Sequence, residues 1–282
     1  MTLEERQKEW YDFHDNYLIE TDGGVLGGTV AIYFCSNNLF FPHTLEDFEK
    51  QVVKKDRYEW YGMRVKRASK HIFVRDVYKQ WYASGLNKNI PDIDSMFSFF
   101  KKECEGYGEI ITVGSSAGGY ASILFGTMLN ANICLSFNAQ WELFSSVERD
   151  GKIISPILYK LREVGGAKYM DIAKPEYDKE SVFYFISTKS PWDIQQNEHA
   201  SNLQHINRIF FSTSHHGIPF LKCSLREILQ YDKEYLIYLS GKTYNPLLFS
   251  FNISGFRTSV SFLVKEIWTK KIKNDTSSLN GS

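Results

Sequence analysis

The sequence has no excess of charge of one sign and no long apolar run. Its 282 residues include 33 Lys and Arg and 33 Asp and Glu, so the formal net charge is zero. Nucleic-acid binding normally requires a basic excess or stripe, so we expect no nucleic-acid partner. No stretch approaches the roughly 18 apolar residues that span a membrane. Residues 1–9 are polar and lack the apolar core of a signal peptide, so we expect a cytoplasmic protein without a transmembrane segment.

Cysteine is scarce, and its spacing fits neither a disulfide framework nor a metal site. The four cysteines are far apart and contain no Cys-x-x-Cys pair. Cys35 and Cys134 lie within apolar runs, where a free thiol acts as a small hydrophobic side chain. No group of Cys, His and carboxylate residues has the spacing of metal ligands. We therefore expect no metal ion and no resident cofactor.

The most informative segment runs from Ile110 to Tyr120. Four β-branched residues lead into Gly-Ser-Ser-Ala-Gly, and a helix-compatible stretch follows. This is the layout of a nucleophile elbow, a sharp turn between a strand and a helix that exposes one hydroxyl group. Ser116 occupies the central position and is the candidate nucleophile, whereas Ser115 would face away. The alternative is an ordinary strand-to-helix turn without chemistry.

Short apolar strands alternate with helical segments along the chain. This alternation predicts an α/β fold with a mostly parallel, doubly wound sheet flanked by helices. We expect one domain over residues 1–282, with a core at about 28–230, a C-terminal helical addition at about 231–273 and a frayed tail from 274. The long connection at 141–180 is where a cap insertion would lie. The predicted strands are 30–35, 71–74, 109–113, 133–137, 182–186 and 208–211, and the predicted helices include 44–54, 91–104, 219–229 and 258–271.

A serine hydroxyl needs a base to accept its proton and an acid to orient that base. In an open α/β sheet such groups lie at the carboxyl ends of strands. Asp193 follows the strand at 182–186, on a loop just ahead of a helix, and is the candidate acid. A helix-capping role for Asp193 is an equally good interpretation of the local sequence.

Two adjacent histidines follow the strand at 208–211. We favour His216 as the general base, because Gly217 next to it frees the backbone where the ring must reach the serine. His215 stays open as the alternative. The resulting chain order of nucleophile, acid and base is the order found in α/β-hydrolases.

The oxyanion of a tetrahedral intermediate needs two hydrogen-bond donors. The first would be the backbone N–H of Ala117, directly after the nucleophile. The second should come from the loop after an early strand, which in this chain is the loop after 30–35. A backbone N–H near Asn37 is the best candidate there.

Charged and aromatic residues also follow the predicted strand at 71–74. They predict a substrate-binding wall in which Arg75 meets an anion and Trp81 or Tyr82 stacks on a sugar. Alternatively, Arg75 forms a structural pair with an aspartate and the aromatic side chains belong to the core. We favour the core interpretation for Trp81.

The Val-Gly-Ser-Ser-Ala-Gly-Gly segment around Ser116, together with Asp193 and His216, resembles the α/β-hydrolase superfamily over roughly residues 28–230. The compact elbow and the short loop at 36–42 resemble the bacterial capsule O-acetyltransferases of this fold. That resemblance implies acetyl transfer from acetyl-CoA to a sugar hydroxyl group through an acetyl-serine. No CoA-binding signature accompanies it.

The leading hypothesis is a serine-dependent acyl enzyme, either an esterase or an O-acyltransferase, that acts on a small-molecule or saccharide substrate. The acceptor in the second case would be a bacterial surface polysaccharide or its precursor. One alternative is a catalytically silent α/β-hydrolase-like binding module in glycan assembly. Peptidase or thioesterase chemistry with the same three residues is another.

Overall fold

The computed structural model describes residues 1–23, 27–149, 152–153, 158–159 and 166–279. Eight of its strands form one sheet in the order β1-β3-β2-β4-β5-β8-β9-β10, and β6 and β7 form a separate antiparallel pair. Within the large sheet only β1 runs antiparallel, beside β3. The predicted mostly parallel α/β sheet is therefore confirmed. The strands are β1 Tyr17–Thr21, β2 Thr29–Phe34, β3 Ala68–Val74, β4 Glu109–Ser115, β5 Ile133–Phe137, β6 Glu148–Arg149, β7 Lys152–Ile153, β8 Val182–Ser187, β9 Asn207–Phe211 and β10 Thr243–Tyr244.

Helices lie on both faces of this sheet. They are α1 Leu3–Phe13, α2 Leu45–Phe48, α3 Ile93–Glu103, α4 Ala117–Met128, α5 Phe144–Val147, α6 Pro191–His199, α7 Leu225–Ile228, α8 Lys233–Leu239, α9 Pro246–Ser254 and α10 Phe256–Leu279. Helix α2 continues into a π-helical turn at Glu49–Val53. Among the described residues, none of the helices combines the length and the apolar character that crossing a membrane requires.

The central strands are apolar on both sides because both faces of the sheet are covered. In β2 every residue is buried. Val30 and Ile32 pack into the apolar cluster under α3 and α4, whereas Ala31 and Tyr33 pack into the cluster on the opposite face. Continuous apolar runs of this kind are typical of parallel strands enclosed between helix layers.

The N-terminal elements were missed by the sequence analysis. Helix α1 begins with a capping box, in which the Thr2 hydroxyl accepts from the Glu5 amide and the Glu5 carboxylate accepts from the Thr2 amide. This Thr-x-x-Glu pattern is a recognisable start signal for a helix. Strand β1 is harder to find, since no residue of this edge strand is fully buried and its apolar pattern is weak.

The C-terminal predictions need correction. The helix predicted at 219–229 is shorter, consisting of a 3-10 turn at Lys222–Ser224 followed by α7. The predicted helical addition also contains β10, which pairs with β9 and extends the sheet. The tail predicted from residue 274 is helical as far as Leu279, and residues 280–282 lie outside the described part of the chain.

The predicted cap region lies between β5 and β8. Its described parts are α5, the β6–β7 pair and two 3-10 turns, and residues 150–151, 154–157 and 160–165 fall outside the described residues. Backbone hydrogen bonds from Leu143 to Met170 and from Ile172 to Trp141 join the two ends of this region. The cap itself stays a prediction.

Candidate active site

Ser116 lies on a sharp turn between β4 and α4. Its backbone has φ 55° and ψ −121°, a conformation that side-chain-bearing residues rarely adopt. The turn is tight because the backbones touch. A Cβ atom at Gly114 would lie 1.9 Å from the Gly118 carbonyl oxygen, and one at Gly118 would lie 2.3 Å from the Phe34 carbonyl oxygen. Only glycine fits at these two positions, so the elbow depends on them.

Ser116, His216 and Asp193 are brought together at this turn. The Ser116 Oγ and His216 Nε2 atoms are 2.8 Å apart, and His216 Nδ1 lies 2.7 Å from Asp193 Oδ1. Asp193 is fully buried, whereas Ser116 and His216 are partly exposed. With the proton on Nδ1, the histidine donates to the carboxylate and its free Nε2 accepts from the serine hydroxyl. The imidazole is therefore placed to remove the serine proton.

Asp193 and His215 do not lie quite as the sequence suggested. Asp193 is not on a loop but in the first turn of α6, where the capping side chain belongs to Ser190. Buried at that point, its carboxylate faces His216. The His215 side chain is exposed, and its backbone carbonyl accepts from the Ser187 hydroxyl group at 2.6 Å. Of the two histidines, His216 is the one in contact with Ser116.

Asn138 supports the histidine loop, and the sequence analysis did not assign it a role. This fully buried residue follows β5 directly. Its side-chain amide donates to the Gly217 carbonyl at 2.9 Å and to the Ser187 hydroxyl group at 2.8 Å, and its own oxygen accepts from the Ser187 amide at 2.8 Å. The sequence feature that could have indicated this role is a polar side chain directly after a buried strand.

The sheet order, the glycine-flanked elbow and the chain order of serine, aspartate and histidine occur together in this chain. The chain has an α/β-hydrolase fold. The sheet order and the turn at Ser116 agree with the fold that the sequence predicts.

Comparison with known proteins gives structural likeness only. No protein-family model and no curated protein matches this sequence. A protein of unknown function from Staphylococcus aureus subsp. aureus Mu50 is similar with a TM-score of 0.43 and 12% identity, over 79% of this chain and 94% of that chain. The capsule O-acetyltransferase of Neisseria meningitidis serogroup A has a TM-score of 0.42 and 14% identity, over 69% and 81%. A fluorophosphonate-binding serine hydrolase of Staphylococcus aureus has a TM-score of 0.39 and 10% identity, over 68% and 82%.

The backbone amide of Ala117 lies at the elbow, directly after Ser116. The Ala117 amide is the first of α4, and the earliest amide of that helix with an intrahelical acceptor is that of Tyr120, which bonds to the Ser116 carbonyl. The Ala117 N–H is therefore unused within the helix, as expected for a helix N-terminus. It stays the candidate for the first donor.

The loop after β2 leaves one amide available. The Ser36 amide donates to Glu59, and the Asn38 and Leu39 amides donate to the Ser36 hydroxyl and carbonyl oxygens. Among the four described amides from Ser36 to Leu39, only that of Asn37 is left without an acceptor. Asn37 is thus the donor that this loop can offer to a ligand.

Arg75, placed by sequence in a substrate-binding wall, is instead a structural residue. Its side chain is 1% exposed, pairs with Asp56 at 2.7 Å and donates to Asn16 at 3.2 Å. Its guanidinium also lies over the ring of Tyr58, 4.5 Å from the centroid. A group so enclosed cannot meet a substrate anion.

The two aromatic residues of the predicted wall are also buried. Tyr82 is fully enclosed, and its hydroxyl group donates to the Cys35 carbonyl at 2.8 Å. Trp81 is 9% exposed and donates to the Gln140 side chain at 2.9 Å. Neither ring is free to stack on a sugar, and the core interpretation favoured for Trp81 agrees with its burial.

In the described part of the chain, no group of three or more His, Cys, Asp or Glu side chains is arranged to hold a metal ion.

Proposed function

We propose that this chain is a serine-dependent acyl enzyme that works through a covalent acyl group on Ser116. The observation that supports this most directly is the 2.8 Å contact between Ser116 Oγ and His216 Nε2, with Asp193 behind the histidine. A serine hydroxyl bonded to an oriented imidazole is the arrangement that makes serine nucleophilic at neutral pH.

In the acylation step, His216 accepts the Ser116 hydroxyl proton while Oγ attacks the carbonyl carbon of an ester or thioester. The amides of Ala117 and Asn37 donate to the oxyanion of the tetrahedral intermediate. The intermediate collapses, the bond to the leaving oxygen or sulfur breaks, and His216 returns its proton to that leaving group. Asp193 stabilises the imidazolium during the step.

In the second step, His216 removes a proton from the acceptor hydroxyl group, whose oxygen attacks the carbonyl carbon of the acyl-serine. The bond from that carbon to Ser116 Oγ then breaks, and His216 returns the proton to Oγ. Water as acceptor makes the enzyme an esterase, and a saccharide hydroxyl group makes it an O-acyltransferase. For the transferase we propose acetyl-CoA as the donor and a bacterial surface polysaccharide or its precursor as the acceptor, in the cytoplasm. The capsule O-acetyltransferase resemblance of the elbow and the loop at 36–42 is the reason for this choice.

A catalytically silent binding module is the competing function. It would not require an imidazole within hydrogen-bond distance of the elbow serine, and the contact of Ser116 with His216 therefore favours the enzyme.

Labelling with a fluorophosphonate probe tests the proposal. We expect wild type to be labelled and Ser116→Ala and His216→Ala to lose labelling, with unchanged circular dichroism spectra. Intact-mass analysis after incubation with acetyl-CoA or an aryl acetate should then show one acetyl group on wild type. Absence of labelling in folded wild type would exclude the enzyme and leave the binding module.

A further inference from the structure

The oxyanion loop, Ser36–His43, carries the proposed second donor and begins against the elbow. Strand β2 lies beside β4 in the sheet, with Phe34 paired to Gly114. The carbonyl oxygens of Phe34 and Cys35 face Gly118, in the first turn of α4. Because Asn37 follows two residues later, the conformation of this loop determines whether its amide points at the reacting carbonyl group.

Lys79, from the neighbouring turn after β3, contacts the far end of this loop. Its side chain is buried, with 8% of the residue exposed. The ammonium group donates to the Phe40 carbonyl oxygen and lies 2.7 Å from His43 Nδ1. It also lies 3.5 Å from the centroid of the Phe40 ring, within the range of a cation–π contact.

The same lysine contacts the near end of the loop. The Asn37 side-chain amide donates to the Lys79 carbonyl oxygen at 3.5 Å. Lys79 therefore contacts Asn37 through its carbonyl oxygen, and Phe40 and His43, three and six positions later, through its side chain. These contacts join the loops of two adjacent strands at the carboxyl edge of the sheet.

The turn that presents Lys79 is itself rigidly built. The buried Asp76 carboxylate accepts from the amides of Tyr78, Lys79, Gln80 and Tyr82 at distances of 2.6–3.0 Å. Lys79 adopts a left-handed conformation with φ 57°. Four backbone N–H groups of this turn donate to Asp76, so Lys79 has little freedom to move away from the oxyanion loop.

Packing alone does not account for an ammonium group at this position. Among the described residues, Lys79 forms no ion pair with a carboxylate; Asp76 and Asp47 act on it only from a distance, and His43 is its titratable neighbour. A buried ammonium without an ion-pair partner costs stability, whereas Met or Leu of similar length would not. The Phe40 carbonyl oxygen and His43 Nδ1 are hydrogen-bond acceptors, and Met or Leu could not donate to them.

We propose that Lys79 is a positioning residue that fixes the oxyanion loop so that the Asn37 N–H faces the acyl carbonyl oxygen at Ser116. This inference rests on the proposed acyl-enzyme function. It assigns Lys79 an effect on the transition state without contact with the substrate. Such an effect appears in kcat more than in KM, because the oxyanion exists only during the reaction.

The first test is Lys79→Met, assayed with an aryl acetate. We expect kcat to fall about tenfold or more, with KM within about twofold of wild type. Lys70→Met is the matched control, since Lys70 lies on β3, the strand that leads into the Lys79 turn, is largely buried and pairs with Glu103. It should leave kcat unchanged.

The second test is a double-mutant cycle with Asn37→Pro. Proline removes the Asn37 N–H, and the first position of a helical turn after an extended residue accepts it. If Lys79 acts through that amide, Lys79→Met should cost nothing more in the Asn37→Pro background. An equal loss in both backgrounds, or a change in KM alone, would overturn the proposal.

His43→Ala keeps the test decisive should Lys79→Met fail to fold. His43 is exposed, so its loss should not affect folding, but it removes one acceptor of the ammonium group. A partial fall in kcat that vanishes in the Asn37→Pro background supports the positioning role, and an unchanged kcat contradicts it. If wild type is labelled and active and the Lys79 and His43 variants have the wild-type kcat, only the role of Lys79 is rejected. If folded wild type is not labelled, the acyl-enzyme proposal itself is rejected.

Discussion

The ring of Trp192 stacks on the ring of His216, with the centroids 4.9 Å apart and the planes inclined by 25°. Trp192 directly precedes Asp193 in α6, so one helical turn provides both the carboxylate that holds the imidazole at its edge and the indole that covers its face. The hydrogen bond to Asp193 and the stacking on Trp192 therefore both restrict the orientation of the imidazole ring.

Loss of that stacking should reduce catalysis without abolishing it. An aromatic pair contributes about 0.5–1.5 kcal/mol, so Trp192→Ala should lower kcat about two- to tenfold. Steady-state kinetics checks this, with Trp268→Ala as the control, because Trp268 is 69% exposed and lies far along α10. A Trp192→Ala enzyme with wild-type kcat would show that the indole does not orient the base.

Asn138 should matter to both stability and activity. Its side chain bonds to Ser187 and to the backbone of the histidine loop, so Asn138→Ala leaves buried partners unsatisfied at a cost of about 1–3 kcal/mol. Asn138 has φ 45°, and Asn138→Gly removes the same bonds without backbone strain. We expect both variants to lower kcat and the glycine variant to be the more stable in urea unfolding. Retention of full activity by both would contradict the role of Asn138 in holding His216.

Arg75 should affect stability and not substrate binding. Arg75→Met removes the donor to Asn16 and the partner of Asp56, and should lower the free energy of unfolding by about 1–3 kcal/mol with KM unchanged. Arg226→Met, at an exposed position, is the control for loss of a positive charge. A raised KM in folded Arg75→Met would restore the substrate-wall interpretation.

Burial of Lys79 should give the fold a pH dependence. Burial lowers the pKa of the Lys79 ammonium group from 10.5 to about 7. Between these two values the unfolded chain binds the proton and the folded chain does not, so stability should rise as the pH increases from about 7 to 10.5. Relative to Lys79→Met, the wild-type free energy of unfolding should increase over this interval in urea titrations. A pH-independent difference between the two proteins would show that Lys79 keeps its ordinary pKa when folded.

The features that the sequence predicts well are local. The β-branched run, the glycines at 114 and 118 and the position of Ser116 lie within nine residues, so the elbow can be recognised without knowing what packs on it. The sequence also places Asp193 and His216 near Ser116, because parallel strands bring their carboxyl ends to one edge.

The features that the sequence did not predict depend on distant partners. Arg75 is enclosed by Asn16, Asp56 and Tyr58, and no pattern within 71–82 indicates that these residues cover it. Strand β10 has only two residues, and its pairing with β9 defines it more than its composition does. Asn138 resembles an ordinary loop residue until the histidine loop is seen to rest on it.

The proposed nucleophile and its proposed base follow separate strands of one sheet. Ser116 follows β4 and His216 follows β9, with β5 and β8 between them. Three interstrand spacings separate the two attachment points by roughly 14 Å, and the histidine loop spans that distance by resting on the ends of the two intervening strands. The width and twist of the hydrogen-bonded sheet thus determine the distance between Ser116 and His216. A core substitution that shifts β5 against β8 would alter catalysis without touching any group that reacts.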